Sequence, residues 1–150
     1  MTHETFMRAA IALSQKNVDD GTGGPFGAVV VRDGEIIGEG TNLVTSANDP
    51  TAHAEVVAIR QACERLGTYN LEGCVVYTSC EPCPMCLSAI YWARLDRIFY
   101  GNTKVDAAKI DFDDDFLYRE IPKPISERTI PTEQLLHDES IAAFDAWAKS

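Results

Sequence analysis

The chain has 150 residues, 45% of them apolar and 24% charged, the balance of a single folded domain with a buried core. Its net charge of −10 disfavours phosphate backbones, and the basic residues from Arg94 to Arg128 are spread rather than clustered, so no nucleic-acid partner is expected. No apolar run is long enough to span a bilayer and MTHETFMRAA does not read as a signal peptide, so a cytoplasmic protein with no membrane partner is expected.

Residues 2–20 read as a helix, with Phe6, Ala10 and Leu13 alternating with Met7, Ile11 and Val18 at helical spacing and Gly21 as the stop. GTGGPFG, 21–27, lacks the spacing of a phosphate-binding loop and reads as a flexible connector. Asp33-Gly34, between two apolar runs of 27–40, predicts a hairpin. Asp49-Pro50 predicts a helix start, the aspartate capping and the proline just inside, with the helix running to Gly67. CVVYTS, 74–79, predicts a buried strand, followed by a helix from about Pro82 to Leu95 and a strand at RIFY, 97–100. Beyond Gly101 the pattern weakens: FDDDFLYREI predicts a short helix, PKP (122–124) a stiff extended link, and ESIAAFDAWAKS a final helix. Helices alternating with strands after a hairpin predict a three-layer α/β/α sandwich around a mixed sheet.

Five cysteines without a secretory signal point to reduced thiols used for metal binding or catalysis. Three of them fall in SCEPCPMC, 79–86. On a helix beginning near Pro82, Cys83 and Cys86 present both sulfurs on one face, at a terminus that favours thiolate. Cys80 with Cys83 is the alternative pair, joined by a Glu81-Pro82 loop, while Cys63 and Cys74 read as core or edge residues. His53, in the first turn of its predicted helix, is the outstanding further ligand. Thiolates with an imidazole select zinc, and three protein ligands leave a fourth position open, as in a catalytic site; recruiting Cys80 would instead close a structural one. Glu55, about 200° round a helix from His53, is poorly set to share the metal and well set to move protons beside it. A thiol redox protein using C-x-x-C would leave His53 and Glu55 without a purpose.

His53-Ala54-Glu55 followed by Pro82-Cys83-Pro84-Met85-Cys86 is the H-x-E and P-C-x-x-C pattern of the zinc-dependent nucleobase deaminases. On it the chain resembles the cytidine deaminase-like superfamily. GGPFGAVVV, NDPTAHAEVVAIR, TSCEPCPMCLSAIYWAR and FDDDFLYREI are most similar to the small bacterial guanine deaminases, over most of residues 1–130. The resemblance implies the cytidine deaminase-like fold, with five strands in its mixed sheet, and one catalytic zinc ion per subunit. It implies hydrolysis of guanine to xanthine and ammonia, with Glu55 as proton carrier and Asp114 as a second catalytic carboxylate. Asn42, Phe26, Ala54 and Phe112 are its implied substrate contacts. From the residues alone, Asp113 to Asp115 read first as a solvated helix start, and Phe26 reads equally as ordinary core. Deamination of ammeline, cytosine or cytidine, or a tRNA adenosine is the alternative on the same site, and a non-catalytic zinc-stabilised module the alternative of another class.

The resemblance further implies a homodimer acting on a free purine base. It implies that residues 1–150 form one catalytic domain, with segment 125–150 crossing to a partner subunit. No aromatic follows Trp147, so the contact that closes the neighbour's site is expected to differ from the family's.

Overall fold

Residues 2–150 are described by a computed structural model, in which the chain turns at Asp33 and Gly34 between strands β1 (Gly27–Arg32) and β2 (Glu35–Thr41). Helix α1 (His3–Asp19) precedes this hairpin. It is followed by α2 (Val44–Ala47), α3 (Ala54–Leu66), β3 (Cys74–Cys80), α4 (Pro84–Trp92), β4 (Arg97–Asn102) and α5 (Lys104–Ala108). These elements lie in the first of two compact units, Met1–Asp114, and the second unit is Asp115–Ser150.

The sheet order is β2-β1-β3-β4, with β1 antiparallel to both β2 and β3 and β3 parallel to β4. The sheet is therefore mixed, as the sequence predicts, but it has four strands among the described residues rather than five. Beyond β4 the chain becomes helical at once. The Thr103 side chain accepts the Asp106 N–H and the Asp106 carboxylate accepts the Thr103 N–H, a capping box that commits 104–108 to α5.

Alternate residues of β1 serve opposite faces, and both faces are buried. Val29 and Val31 pack with Tyr77 against Phe6 and Ala10 of α1. Ala28 and Val30 pack with Val76 against Ala54, Ala58 and Ala62 of α3 and Ile90 of α4. One helix on one face and two on the other give the three layers. The buried stripe of α1 is Phe6, Ala10 and Asn17, whereas Ile11 and Val18 face solvent.

Small residues let α3 lie close on β2. Its alanines repeat every fourth residue, and a Cβ placed on Gly40 would stand 2.1 Å from the Ala54 carbonyl oxygen. Two helix starts differ from expectation. α3 begins at Ala54, not at Asp49-Pro50, because the Asp49 carboxylate accepts the Thr51 N–H and hydroxyl at 2.9 and 2.7 Å and closes a separate turn. α4 begins at Pro84, not Pro82, and ends at Trp92, not Leu95, where Arg94 takes a left-handed φ of 64°.

In the second unit, α6 (Asp115–Glu120) leads to a 3-10 turn (Ile125–Glu127) and α7 (His137–Ala148), with no buried residue in any of them. Pro122 to Pro124 do not form an extended link. The Thr129 N–H and hydroxyl donate to the Glu120 carboxylate and the Arg128 guanidinium donates to the Ile121 carbonyl, folding 120–129 into a loop. Among the described residues, no helix is long and apolar enough to cross a membrane.

Candidate active site

His53 and Cys83 are both helix N-cap residues, of α3 and α4, with extended backbones just outside the first turn. Cys86 lies in the first turn of α4, and its N–H donates to the Cys83 sulfur at 3.5 Å. The His53 Nδ1 stands 3.5 Å from the Sγ of Cys83 and 3.5 Å from the Sγ of Cys86. A tetrahedral zinc ion, with Zn–S of about 2.3 Å and Zn–N of about 2.0–2.1 Å, holds nitrogen and sulfur about 3.6 Å apart. The three residues therefore fit zinc in both chemistry and spacing. Their donor atoms all lie within 4.8 Å of one another.

Cys80 is not a member of this group. It ends β3, and its thiol faces the Thr103 carbonyl at 3.8 Å. Burial, and after it the charges of Glu55 and Asp114, push its thiol up to about 11, so it stays protonated. Cys74 is buried in the core and Cys63 is half-buried.

The surroundings shift the two thiols of the group in opposite directions. The Cys83 thiol is pushed well down, chiefly by the hydrogen bond from Cys86 and further by the one to His53. The Cys86 thiol is pushed up, by its bond to Cys83 and by burial. The bond to Cys83 raises the His53 imidazole. A helix N-terminus beside the sulfurs favours the thiolate that a metal requires.

Glu55, in the first turn of α3, is only 7% exposed. Burial is the main reason its carboxyl rises to about 7, and the neighbouring Cys83 charge adds to it. A carboxyl balanced near neutrality beside a metal group can take up and release protons in turn. Ala54, between Glu55 and His53, is fully buried, and its carbonyl packs on β2.

The other expected site residues lie in loops. Asn42 follows β2, is 7% exposed, and its Oδ1 accepts the Val44 N–H at 3.1 Å. Phe26 and Phe112 meet edge to face, ring centres 5.0 Å apart. Asp114 is half-buried, and its carboxyl is raised first by burial and then by the Cys83 charge. Asn17 has no motif to mark it in the sequence, yet it is buried and donates to the backbone of both Gly24 and Asn42. The available signal is its place four residues beyond Leu13 on the Phe6–Ala10–Leu13 stripe, an amide where an apolar side chain is expected.

The chain matches the cytidine and deoxycytidylate deaminase zinc-binding region over residues 1–102. It is 58% identical over 147 residues to a guanine deaminase of Bacillus subtilis, covering 98% of this chain and 94% of the relative. It is 41% identical over 101 residues to a tRNA-specific adenosine deaminase of Aquifex aeolicus, covering 67% of this chain and 66% of the relative. The X-ray structure of guanine deaminase from Bacillus subtilis superposes with a TM-score of 0.97 at 57% identity, over 100% of this chain and 96% of that one. With a zinc-fitting His53, Cys83 and Cys86 group at the starts of two helices and a buried glutamate beside it, the chain belongs to the zinc-dependent cytidine and deoxycytidylate deaminase family.

Proposed function

We propose that the protein hydrolyses guanine to xanthine and ammonia, with zinc held by His53, Cys83 and Cys86. The observation that carries this reading is the buried Glu55 beside a zinc-fitting His/Cys/Cys group, in a chain 58% identical to a guanine deaminase. Zinc, when bound, polarises and acidifies water at an open coordination position. Glu55 takes the proton released as water oxygen bonds to C2 of the ring, and gives it to N3. It then takes the proton of the new C2 hydroxyl and passes it to the amino group, which leaves as ammonia as the C2–N bond breaks and the C2 carbonyl forms. Its raised carboxyl suits both directions of transfer.

Asn42 reads the ring edge, having both a donor and an acceptor. The Phe26–Phe112 pair lines the pocket as an apolar wall, and Ala54 is a further contact of the base. Asp114 accepts from the base's N–H groups as the second carboxylate. A further part of the proposal is a homodimer in which residues 125–150 cross to the partner. It is supported by the apolar face of α7, where Phe144 is 74% and Trp147 82% exposed in the single chain.

Ammonia release from guanine, adenine, cytosine, cytidine, ammeline and a tRNA carrying the target adenosine tests the substrate. Turnover of guanine above the others is expected, and turnover of tRNA alone would overturn the proposal.

A further inference from the structure

Asn17 is the one buried polar side chain of α1, 3% exposed, and it has no part in the chemistry above. Its amide nitrogen donates to the Gly24 carbonyl at 2.7 Å and to the Asn42 carbonyl at 3.0 Å. Its own backbone carbonyl accepts the Thr22 N–H at 3.1 Å. The Gly24 carbonyl it grips also accepts the Phe26 N–H at 2.9 Å, and the Asn42 N–H donates to the Phe26 carbonyl at 3.3 Å. One side chain thus ties the end of α1 to the Gly24–Phe26 loop and to the exit of β2.

The fit at this point is tight. A Cβ on Gly23 would stand 2.3 Å from the Asn42 carbonyl oxygen and 3.4 Å from the Asn17 Nδ2. The Asn17 amide nitrogen supplies both N–H donors here. An aspartate would turn a carboxylate oxygen toward two carbonyls, and an alanine would leave the Asn42 carbonyl without its buried donor.

We infer that Asn17 is a positioning residue for base recognition, holding Asn42 and Phe26 in register with each other and with the metal group while touching neither the base nor the metal. The inference rests on the proposed roles of Asn42 and Phe26 as substrate contacts. It separates Asn17 from a merely structural amide, because its loss moves the recognition wall and leaves His53, Cys83 and Cys86, on other elements, in place.

Steady-state kinetics and zinc content of Asn17→Asp and Gly23→Ala test it, since the two changes open the same contact from opposite sides. Both variants are expected to keep the wild-type zinc content and to raise KM for guanine about tenfold or more, the effect of one well-made hydrogen bond, with a smaller change in kcat. If Asn17→Asp does not fold, Gly23→Ala supplies the same readout. An unchanged KM in zinc-loaded variants overturns the inference, as does a loss confined to kcat. Failure of wild type to turn over guanine would instead refute the substrate, and KM for the base it does deaminate then serves as the readout.

Discussion

His53 and Cys83 hold the same position in two different helices: each is the residue immediately before the first helical one, with φ, ψ of −71°, 156° and −65°, 168°. The ligand group therefore lies where two helix N-termini meet, and their positive ends favour thiolate sulfur. Cys80 is delivered by the same segment as Cys83 but faces the Thr103 carbonyl. His53→Ala and Cys83→Ala are expected to lose most of their zinc on dialysis. Cys80→Ala is expected to retain the wild-type zinc content, measured by elemental analysis.

Glu55 gives a pH signature to the metal-free protein. Its folded pKa, about 7, lies above the ordinary value of 4.5, so its contribution to stability is complete below about pH 4.5 and is lost as pH rises through about 7. Between about pH 5 and pH 8, metal-free wild type is expected to lose on the order of 3 kcal/mol relative to metal-free Glu55→Gln. Urea unfolding of both at the two pH values measures the difference.

Gly40 keeps the ligand helix on the sheet. The Cβ of an alanine at this position would stand 2.1 Å from the Ala54 carbonyl oxygen, which leaves no room for a methyl group. Gly40→Ala is expected to destabilise the protein by about 1–3 kcal/mol and to weaken zinc retention, because His53 directly precedes Ala54. Denaturant midpoint and zinc content check the two effects.

Much of the site is legible in the sequence because the zinc pattern is local. H-x-E and C-x-x-C each set their side chains within one turn of chain, and the chemistry of thiolate, imidazole and carboxylate joins the two segments. The helix starts are not legible, because Asp49 and Pro50 carry the same signals whether they begin a helix or close a turn. Only the Asp49–Thr51 bonds decide that. Thr103 and Asp106 have capping-box spacing, a local signal for α5, the helix that follows β4. Asn17 is the hardest to read, because its partners lie on loops brought to it by folding.

The α7 segment bears on assembly. Phe144 and Trp147 are exposed in the single chain, and a crossed homodimer would cover them. With this aromatic as an interface anchor, Phe144→Asp is expected to weaken dimerisation by about thirtyfold or more, measured by sedimentation.

Deamination of guanine by Glu55 beside a His53–Cys83–Cys86 zinc site is tested most directly by xanthine and ammonia formation with zinc-loaded wild type and Glu55→Gln. Wild type should convert guanine, while Glu55→Gln keeps its zinc and falls by about 10²–10⁴-fold in kcat. Turnover by Glu55→Gln within about tenfold of wild type, or no xanthine from the zinc-loaded wild type, would contradict it.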